Sequence, residues 1–191
     1  MSHLSQALLD EFLNPDSAEP RVKDAISRTA RELGLLRASQ NERAVRAVAA
    51  IRSGASPEQV AKVLLWREFE QLCAHILRAR GFEVRENITL TKPRVQVDIL
   101  ARSSAVGLAV DCKHWKREMG YSGLLRAVTA QSRRAAVLRE KMPFLEPLLV
   151  VLVSLANESA RYVGTGIVVP LHTLGDFVSN LDAYAQDTPR F

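Results

Sequence analysis

Three short runs rich in β-branched residues decide the fold of this chain: FEVRENITL at residues 82–90, VQVDILA at 95–101 and GLAVDCK at 107–113. Runs of this length, bounded by turn residues, are typical of β-strands. Thr91-Lys92-Pro93-Arg94 lies between the first two runs and predicts that they form a hairpin. The chain is therefore predicted to fold around three consecutive strands.

The residues that follow predict a helix, two more strands and a last helix. Residues 122–141 are predicted to be helical and to stop before Pro143. The apolar run 148–153 suits a strand buried on both faces, and GIVV at 166–169 predicts another strand. TLGD at 173–176 predicts a capping box that opens the last helix. This order of elements predicts an α/β fold with a mixed sheet covered by helices.

The N-terminal third is predicted to be all-α. Residues 1–64 are expected to form a helical domain that contacts DNA or a partner, and residues 65–191 a second domain. Ser56-Pro57-Glu58-Gln59 has the pattern of a helix start, and Gly34 and Gly54 stand where helices could end. A plain helical bundle is favoured over a helix-turn-helix motif.

Composition narrows the class of protein. The 191 residues are 47% hydrophobic and 25% charged, which is ordinary for a globular protein and excludes intrinsic disorder. The longest apolar stretch, 147–153, is far too short to cross a bilayer, and the start of the chain lacks the basic segment of a signal peptide. The two cysteines, Cys73 and Cys112, are too few for a disulfide scaffold, which predicts a reduced, cytoplasmic protein.

Positive charge is concentrated in one segment. The net charge is +5, yet residues 1–64 hold nine basic and eight acidic residues, whereas residues 116–141 hold seven basic and two acidic ones. A local basic stripe is typical of a surface that contacts nucleic-acid phosphates. The solvated face of a helix in an arginine-rich protein would look the same.

The end of the third predicted strand combines an acid with a lysine. Asp111 and Lys113 are expected to share one face of the strand and Cys112 the other, because strand side chains alternate. Asp98 lies on the neighbouring predicted strand, close to Asp111 if the pair is antiparallel. Two adjacent carboxylates repel each other unless a proton or cation lies between them, and their hard oxygens favour Mg²⁺ or Mn²⁺. A salt bridge between Asp111 and Lys113 is the simpler alternative.

A third acid comes from the helix before the strands. Glu70 borders the apolar stripe of the helix predicted over residues 66–80 and can reach the edge of the sheet. Glutamate on this helix, Asp98 on one strand and Asp111-Cys112-Lys113 on the next resemble the PD-(D/E)xK nuclease superfamily, whose domains have the restriction-endonuclease-like fold.

Two families within that superfamily have the most similar patterns. FEQLCAHILRARGFEV at 69–84 resembles the first helix of Mrr-type restriction endonucleases and archaeal Holliday junction resolvases. GIVVPLHTLGDFVSNL at 166–181 resembles the closing strand and helix of Mrr-type domains. Val97 replaces the proline that precedes the metal aspartate in the superfamily motif, and Asp111 stands where glutamate or glutamine is common.

The resemblance implies a Mg²⁺- or Mn²⁺-dependent DNA endonuclease acting in restriction, repair or recombination. It implies that Asp98, Asp111 and the backbone carbonyl of Cys112 hold the metal ion, and that Glu70 completes its ligand shell. It further implies that Lys113 orients or deprotonates the attacking water, or compensates the charge of the phosphate.

Further residues are expected to assist. Gln131, on the following helix, resembles a glutamine often found near the catalytic lysine and is assigned an auxiliary role. The residues expected to contact DNA are His114, Lys116, Arg117, Arg126, Arg133 and Arg134.

Two other functions remain compatible with the sequence. One is a non-catalytic nucleic-acid-binding module on a nuclease scaffold, and the other is a helical interaction protein whose charges lie only on its surface. The expected partner is duplex or branched DNA. A homodimer is compatible as well, because cleavage of both strands needs two sites.

Overall fold

The computed structural model describes residues 2–10, 19–35, 42–155 and 160–181. The helices are α1 (His3–Asp10), α2 (Pro20–Glu32), α3 (Glu42–Arg52), α4 (Pro57–Ala61), α5 (Trp66–Ala79), α6 (Tyr121–Lys141) and α7 (Leu174–Ser179). The strands are β1 (Glu83–Thr91), β2 (Arg94–Arg102), β3 (Gly107–Lys113), β4 (Leu148–Ser154), β5 (Arg161–Val163) and β6 (Gly166–Pro170). None of the helices in these ranges has the length and apolar character needed to span a membrane.

The six strands form one mixed sheet in the order β1-β2-β3-β4-β6-β5. The pairs β1–β2 and β2–β3 are antiparallel, β3–β4 and β4–β6 are parallel, and β5 returns antiparallel to β6 at the edge. Helix α6 makes the crossover between the parallel strands β3 and β4, as a parallel connection requires. The predicted α/β fold with a mixed sheet covered by helices is confirmed.

Most of the predicted elements are present, with two differences. The hairpin between β1 and β2 turns at Lys92 and Pro93 as predicted. Strand β5 was not predicted, because three residues are too few to show a period of alternation. The prediction of a capping box at 173–176 is wrong, because the Thr173 side chain makes no capping hydrogen bond. The Thr173 hydroxyl instead donates to the carbonyl of Pro170 at 3.1 Å, since a 3₁₀ turn runs directly into α7.

The sheet separates two groups of buried side chains. One face packs against α5, α7 and the N-terminal helices and includes Ile99, Val110 and Cys112. The other face packs against α6 and includes Leu100 and Leu152. The strands therefore place alternate side chains in different environments, and this alternation positions the candidate site.

The N-terminal helices end and begin as the sequence predicted. The Ser56 hydroxyl accepts a hydrogen bond from the Gln59 backbone at 3.3 Å, and the Gln59 side chain accepts one from the Ser56 backbone at 2.9 Å. Gly34 and Gly54, with φ of +80° and +99°, follow the ends of α2 and α3. Buried residues of these helices join the same cluster as α5 and one face of the sheet. The division of the chain at residues 64 and 65 stays a prediction.

Candidate active site

Strands β2 and β3 separate next to Asp98. Their last paired residues are Ile99 and Val110. Beyond that pair, Oδ2 of Asp98 accepts a hydrogen bond from the backbone N–H of Cys112 at 2.8 Å. The Asp98 carboxylate thus satisfies a strand N–H that the neighbouring backbone no longer reaches, and it is anchored against β3 by this bond.

The pairing of β2 with its other neighbour, β1, is also irregular at Asp98. The register of β1 and β2 pairs Glu86 with Ile99 and Ile88 with Val97 but skips the residues between them, and Asn87 has a left-handed φ of 54°. Ile99 packs in the cluster on the α5 side, whereas Val97 packs in the cluster on the α6 side. The alternation of faces therefore changes at Asp98, which lies at the break.

Asp111 lies under α6 with two cationic partners. It is 4% exposed. Lys113 Nζ lies 2.7 Å from its Oδ2, and Arg134 Nη1 lies 3.2 Å from its Oδ1. Cys112 packs into the core on the opposite face, as strand alternation predicted. The Arg134 guanidinium also donates to Oε1 of the fully buried Gln131 at 3.1 Å, so α6 fixes one side of this cluster.

A polar cleft of about 530 Å³ lies between α5 and the β1–β2 hairpin. Its lining residues are Trp66, Arg67, Glu70, Gln71, Glu86, Asn87, Gln96 and Asp98. The Trp66 indole N–H donates a hydrogen bond to the Glu70 carboxylate one helical turn away. The cleft therefore brings Glu70 and Asp98 to one opening, whereas the nearly buried Asp111 does not line it.

Burial and mutual repulsion raise the pKa values of the two acids in the cleft. Burial raises the pKa of Glu70 above its usual 4.5, the bond from Trp66 opposes this shift, and the charge of Asp98 adds to it. Burial likewise raises the pKa of Asp98 above 3.8, against the hydrogen bond from Cys112, and the charge of Asp111 raises it further. A divalent cation between these carboxylates would favour their charged forms again.

The donor chemistry of the two strand aspartates fits a divalent metal ion. In the described ranges, no three His, Cys, Asp or Glu side chains are grouped closely enough to hold one. Asp98 and Asp111 nevertheless offer hard carboxylate oxygens, and the buried Oδ2 of Asp111 has no aligned hydrogen bond despite the nearby Lys113 amine. The Cys112 carbonyl and Glu70 stay predicted ligands.

Comparison with known proteins agrees with this architecture. The family of restriction endonuclease catalytic domains of the Mrr type matches residues 61–137, which span α5, the first three strands and most of α6. This segment belongs to the PD-(D/E)xK nuclease superfamily. An uncharacterized protein of Archaeoglobus fulgidus is 28% identical over 123 residues, which cover 62% of this chain and 93% of that protein. No solved structure matches the chain.

The nuclease-like segment carries most of the residues predicted to contact DNA on its surface. Lys116 and Arg117 are exposed in the connection from β3 to α6, and Arg126 and Arg133 are exposed on α6 itself. Arg134 is half-buried because it reaches inward to Asp111. The four exposed residues form the outer part of the predicted basic stripe.

His114 lies in a different environment. Its ring contacts the rings of Trp66 and Phe69, with centroids 6.4 and 5.8 Å away, and its buried Nε2 has no hydrogen-bond partner in the described chain. Burial lowers the pKa of His114, although a hydrogen bond with the Leu64 backbone opposes the shift. The structure thus places this imidazole against α5, apart from the exposed arginines and lysines of the nuclease-like segment.

Sequence reasoning missed two contacts of the site. Trp66 lies four positions before Glu70 on a helix, a spacing that places the two side chains together and could have indicated the hydrogen bond. The pairing of Arg134 with Asp111 depends on how α6 is rotated over the sheet. Arg134 was predicted to contact DNA, but no pattern in the sequence indicates that it pairs with Asp111.

Proposed function

We propose that this protein is a metal-dependent DNA endonuclease that hydrolyses phosphodiester bonds in restriction, repair or recombination. The observation that carries the proposal is the junction of β2 and β3. There the Asp98 carboxylate accepts a hydrogen bond from the backbone N–H of Cys112. The residues on either side of Cys112 form an ion pair, with Lys113 Nζ 2.7 Å from Oδ2 of Asp111. This junction lies inside the segment that matches a nuclease family.

The reaction adds water across a P–O ester bond, so a proton leaves the attacking water and another reaches the departing oxygen. Asp98, Asp111 and the Cys112 carbonyl would hold Mg²⁺ or Mn²⁺, with Glu70 as a further ligand. The bound ion would supply an activated water and offset the charge that develops on the phosphate. Lys113 would orient that water or accept its proton.

The surroundings of the junction would support this chemistry. Gln131 accepts a hydrogen bond from Arg134 and so holds the helix side of the site in place. Lys116, Arg117, Arg126 and Arg133 are exposed and would contact the DNA backbone, with His114 as a further predicted contact. Cleavage of both strands of a duplex would require two copies of the chain, and we place the reaction in the cytoplasm.

The proposal is tested by incubating the full chain with labelled linear, branched and single-stranded DNAs, with and without Mg²⁺ or Mn²⁺. We expect ion-dependent cleavage that Lys113→Ala lowers by about 10²- to 10⁴-fold, the usual contribution of a positioned proton-transfer group. Lys141→Ala, at an exposed lysine at the end of α6 that has no predicted role, is the matched control and should retain most cleavage. Full cleavage by a folded Lys113→Ala variant would remove Lys113 from the mechanism.

One observation favours a second function. Asp111 is already neutralised by Lys113 and Arg134, an arrangement that suits a non-catalytic nucleic-acid-binding module on a nuclease scaffold. Such a module would bind DNA with an affinity that falls as salt rises, and it would not cleave DNA in the presence of any divalent ion. Its Asp98→Ala variant would bind DNA as well as the wild type. The same DNA panel separates the two functions.

A further inference from the structure

Arg134 pairs with Asp111, a residue that the proposed nuclease needs as a metal ligand. We propose that Arg134 holds Asp111 until DNA binds and then transfers to a backbone phosphate, which frees the Asp111 carboxylate for the divalent ion. This inference rests on the proposed function and adds to it a coupling between substrate binding and metal binding.

The first argument is the position of Arg134 between the interior and the solvent. Its Nη1 lies 3.2 Å from Oδ1 of Asp111, whose side chain is 5% exposed, whereas the Arg134 side chain is 37% exposed. A phosphate at the surface can therefore reach the guanidinium without any opening of the sheet. The Asp111 carboxylate itself is nearly buried while Arg134 is paired with it.

The second argument is the unused capacity of the guanidinium. Both of its hydrogen bonds, to Asp111 and to Gln131, come from the same nitrogen, Nη1. Within the residues that the structure describes, Nε and Nη2 of Arg134 have no hydrogen-bond partner. Guanidinium groups bind phosphate through two parallel N–H donors. Arg134 can thus engage a phosphate before it leaves Asp111.

The third argument is charge. Asp98 and Asp111 have two formal negative charges, and Lys113 and Arg134 have two formal positive ones, so the formal charges of the set cancel. A divalent ion added to this set would face two fixed cations close by. Transfer of Arg134 to a phosphate removes one of them from Asp111 and keeps the guanidinium paired, so each binding event favours the other.

Direct Mn²⁺ binding tests this exchange without reference to cleavage. The free-Mn²⁺ electron paramagnetic resonance signal is titrated with the full-length wild-type protein, Arg134→Gln and the matched control Lys141→Gln, whose parent residue is exposed on the same helix. Without DNA, we expect Arg134→Gln to bind Mn²⁺ about 5-fold or more tightly than the wild type, a typical coupling factor, and Lys141→Gln to match the wild type. Duplex DNA should tighten Mn²⁺ binding by the wild type and have a smaller effect on Arg134→Gln.

Equal or weaker Mn²⁺ binding by Arg134→Gln would overturn the exchange, with circular dichroism confirming that the variant is folded. Arg134→Lys, which keeps the charge but has fewer donors, should lie between the two. Adding Asp111→Asn to Arg134→Gln should abolish the gain in affinity. If Mn²⁺ binding does not depend on Asp98 or Asp111 at all, the proposed function fails; if it depends on them but not on Arg134, the exchange alone fails.

Discussion

Asp98 shows how one residue combines strand geometry with electrostatics. Its position beside Asp111 could be predicted from antiparallel pairing, and the structure adds the bond from the Cys112 N–H at 2.8 Å. Burial raises its pKa above 3.8. A carboxyl group whose pKa is raised by folding stabilises the protein below its unfolded pKa, and this contribution is lost as the pH rises through the folded value.

The substitution Asp98→Asn should therefore change the pH dependence of stability. Asparagine keeps an oxygen that can accept the Cys112 N–H bond but cannot ionise. We expect the free energy of unfolding of Asp98→Asn minus that of the wild type to be more positive at pH 7 than at pH 4, which means that the variant is relatively more stable at pH 7. Urea unfolding at both pH values measures this difference. Glu140→Gln, at an exposed side chain on α6, is the control. A difference between variant and wild type that is the same at both pH values would contradict the expectation.

At the scale of the elements, the sequence predicted strands well and their surroundings less well. The β-branched runs predicted β1 to β4 and β6, because alternation and apolar continuity are visible in the chain. The partner of Asp111 on α6, Arg134, was not predictable, because the rotation of a helix over a sheet depends on packing. Gly107, at the start of β3, is a further case: its N–H donates to the Pro147 carbonyl at 2.8 Å, a contact between segments far apart in sequence.

The exchange Gly107→Ala should weaken the strand that carries Asp111. A Cβ atom at Gly107 would lie 2.6 Å from the carbonyl oxygen of Leu145, which is backbone and cannot easily give way. We expect a loss of about 1–3 kcal/mol in the free energy of unfolding, typical of overpacking. Gly120→Ala is the matched control, because a Cβ atom there has no neighbour within 4 Å. Chemical denaturation compares the two, and equal stabilities would show that β3 can shift at its start.

At the scale of the whole molecule, the helices before residue 65 pack into the same buried cluster as the sheet. Arg80, directly after α5, donates to the carbonyl of Glu32 at the end of α2 at 2.8 Å, and Leu33 beside Glu32 is fully buried. Helical patterns throughout residues 1–64 suggested a boundary at residues 64 and 65, but such patterns carry no information about which apolar faces meet in space.

The exchange Leu33→Ala tests how far the two parts depend on each other. Because Leu33 lies in the shared cluster, we expect a loss of about 2–5 kcal/mol in a single transition seen equally by helical and tertiary probes. Leu65→Ala, at a side chain that is 64% exposed, should have little effect. Thermal unfolding followed by far- and near-ultraviolet circular dichroism measures both. Two separate transitions, only one of them shifted, would instead support the predicted pair of domains.

The two edges of the sheet differ in length, and this difference bears on aggregation. Strand β5, at one edge of the sheet, has three residues, whereas β1, at the other edge, has nine. A long, regular edge invites another chain to add a strand. Here Glu83, Arg85 and Glu86 place charges along the edge, and the left-handed Asn87 interrupts its regularity. These charges and the irregular Asn87, which lies opposite Asp98, therefore make the β1 edge a poor template for another strand.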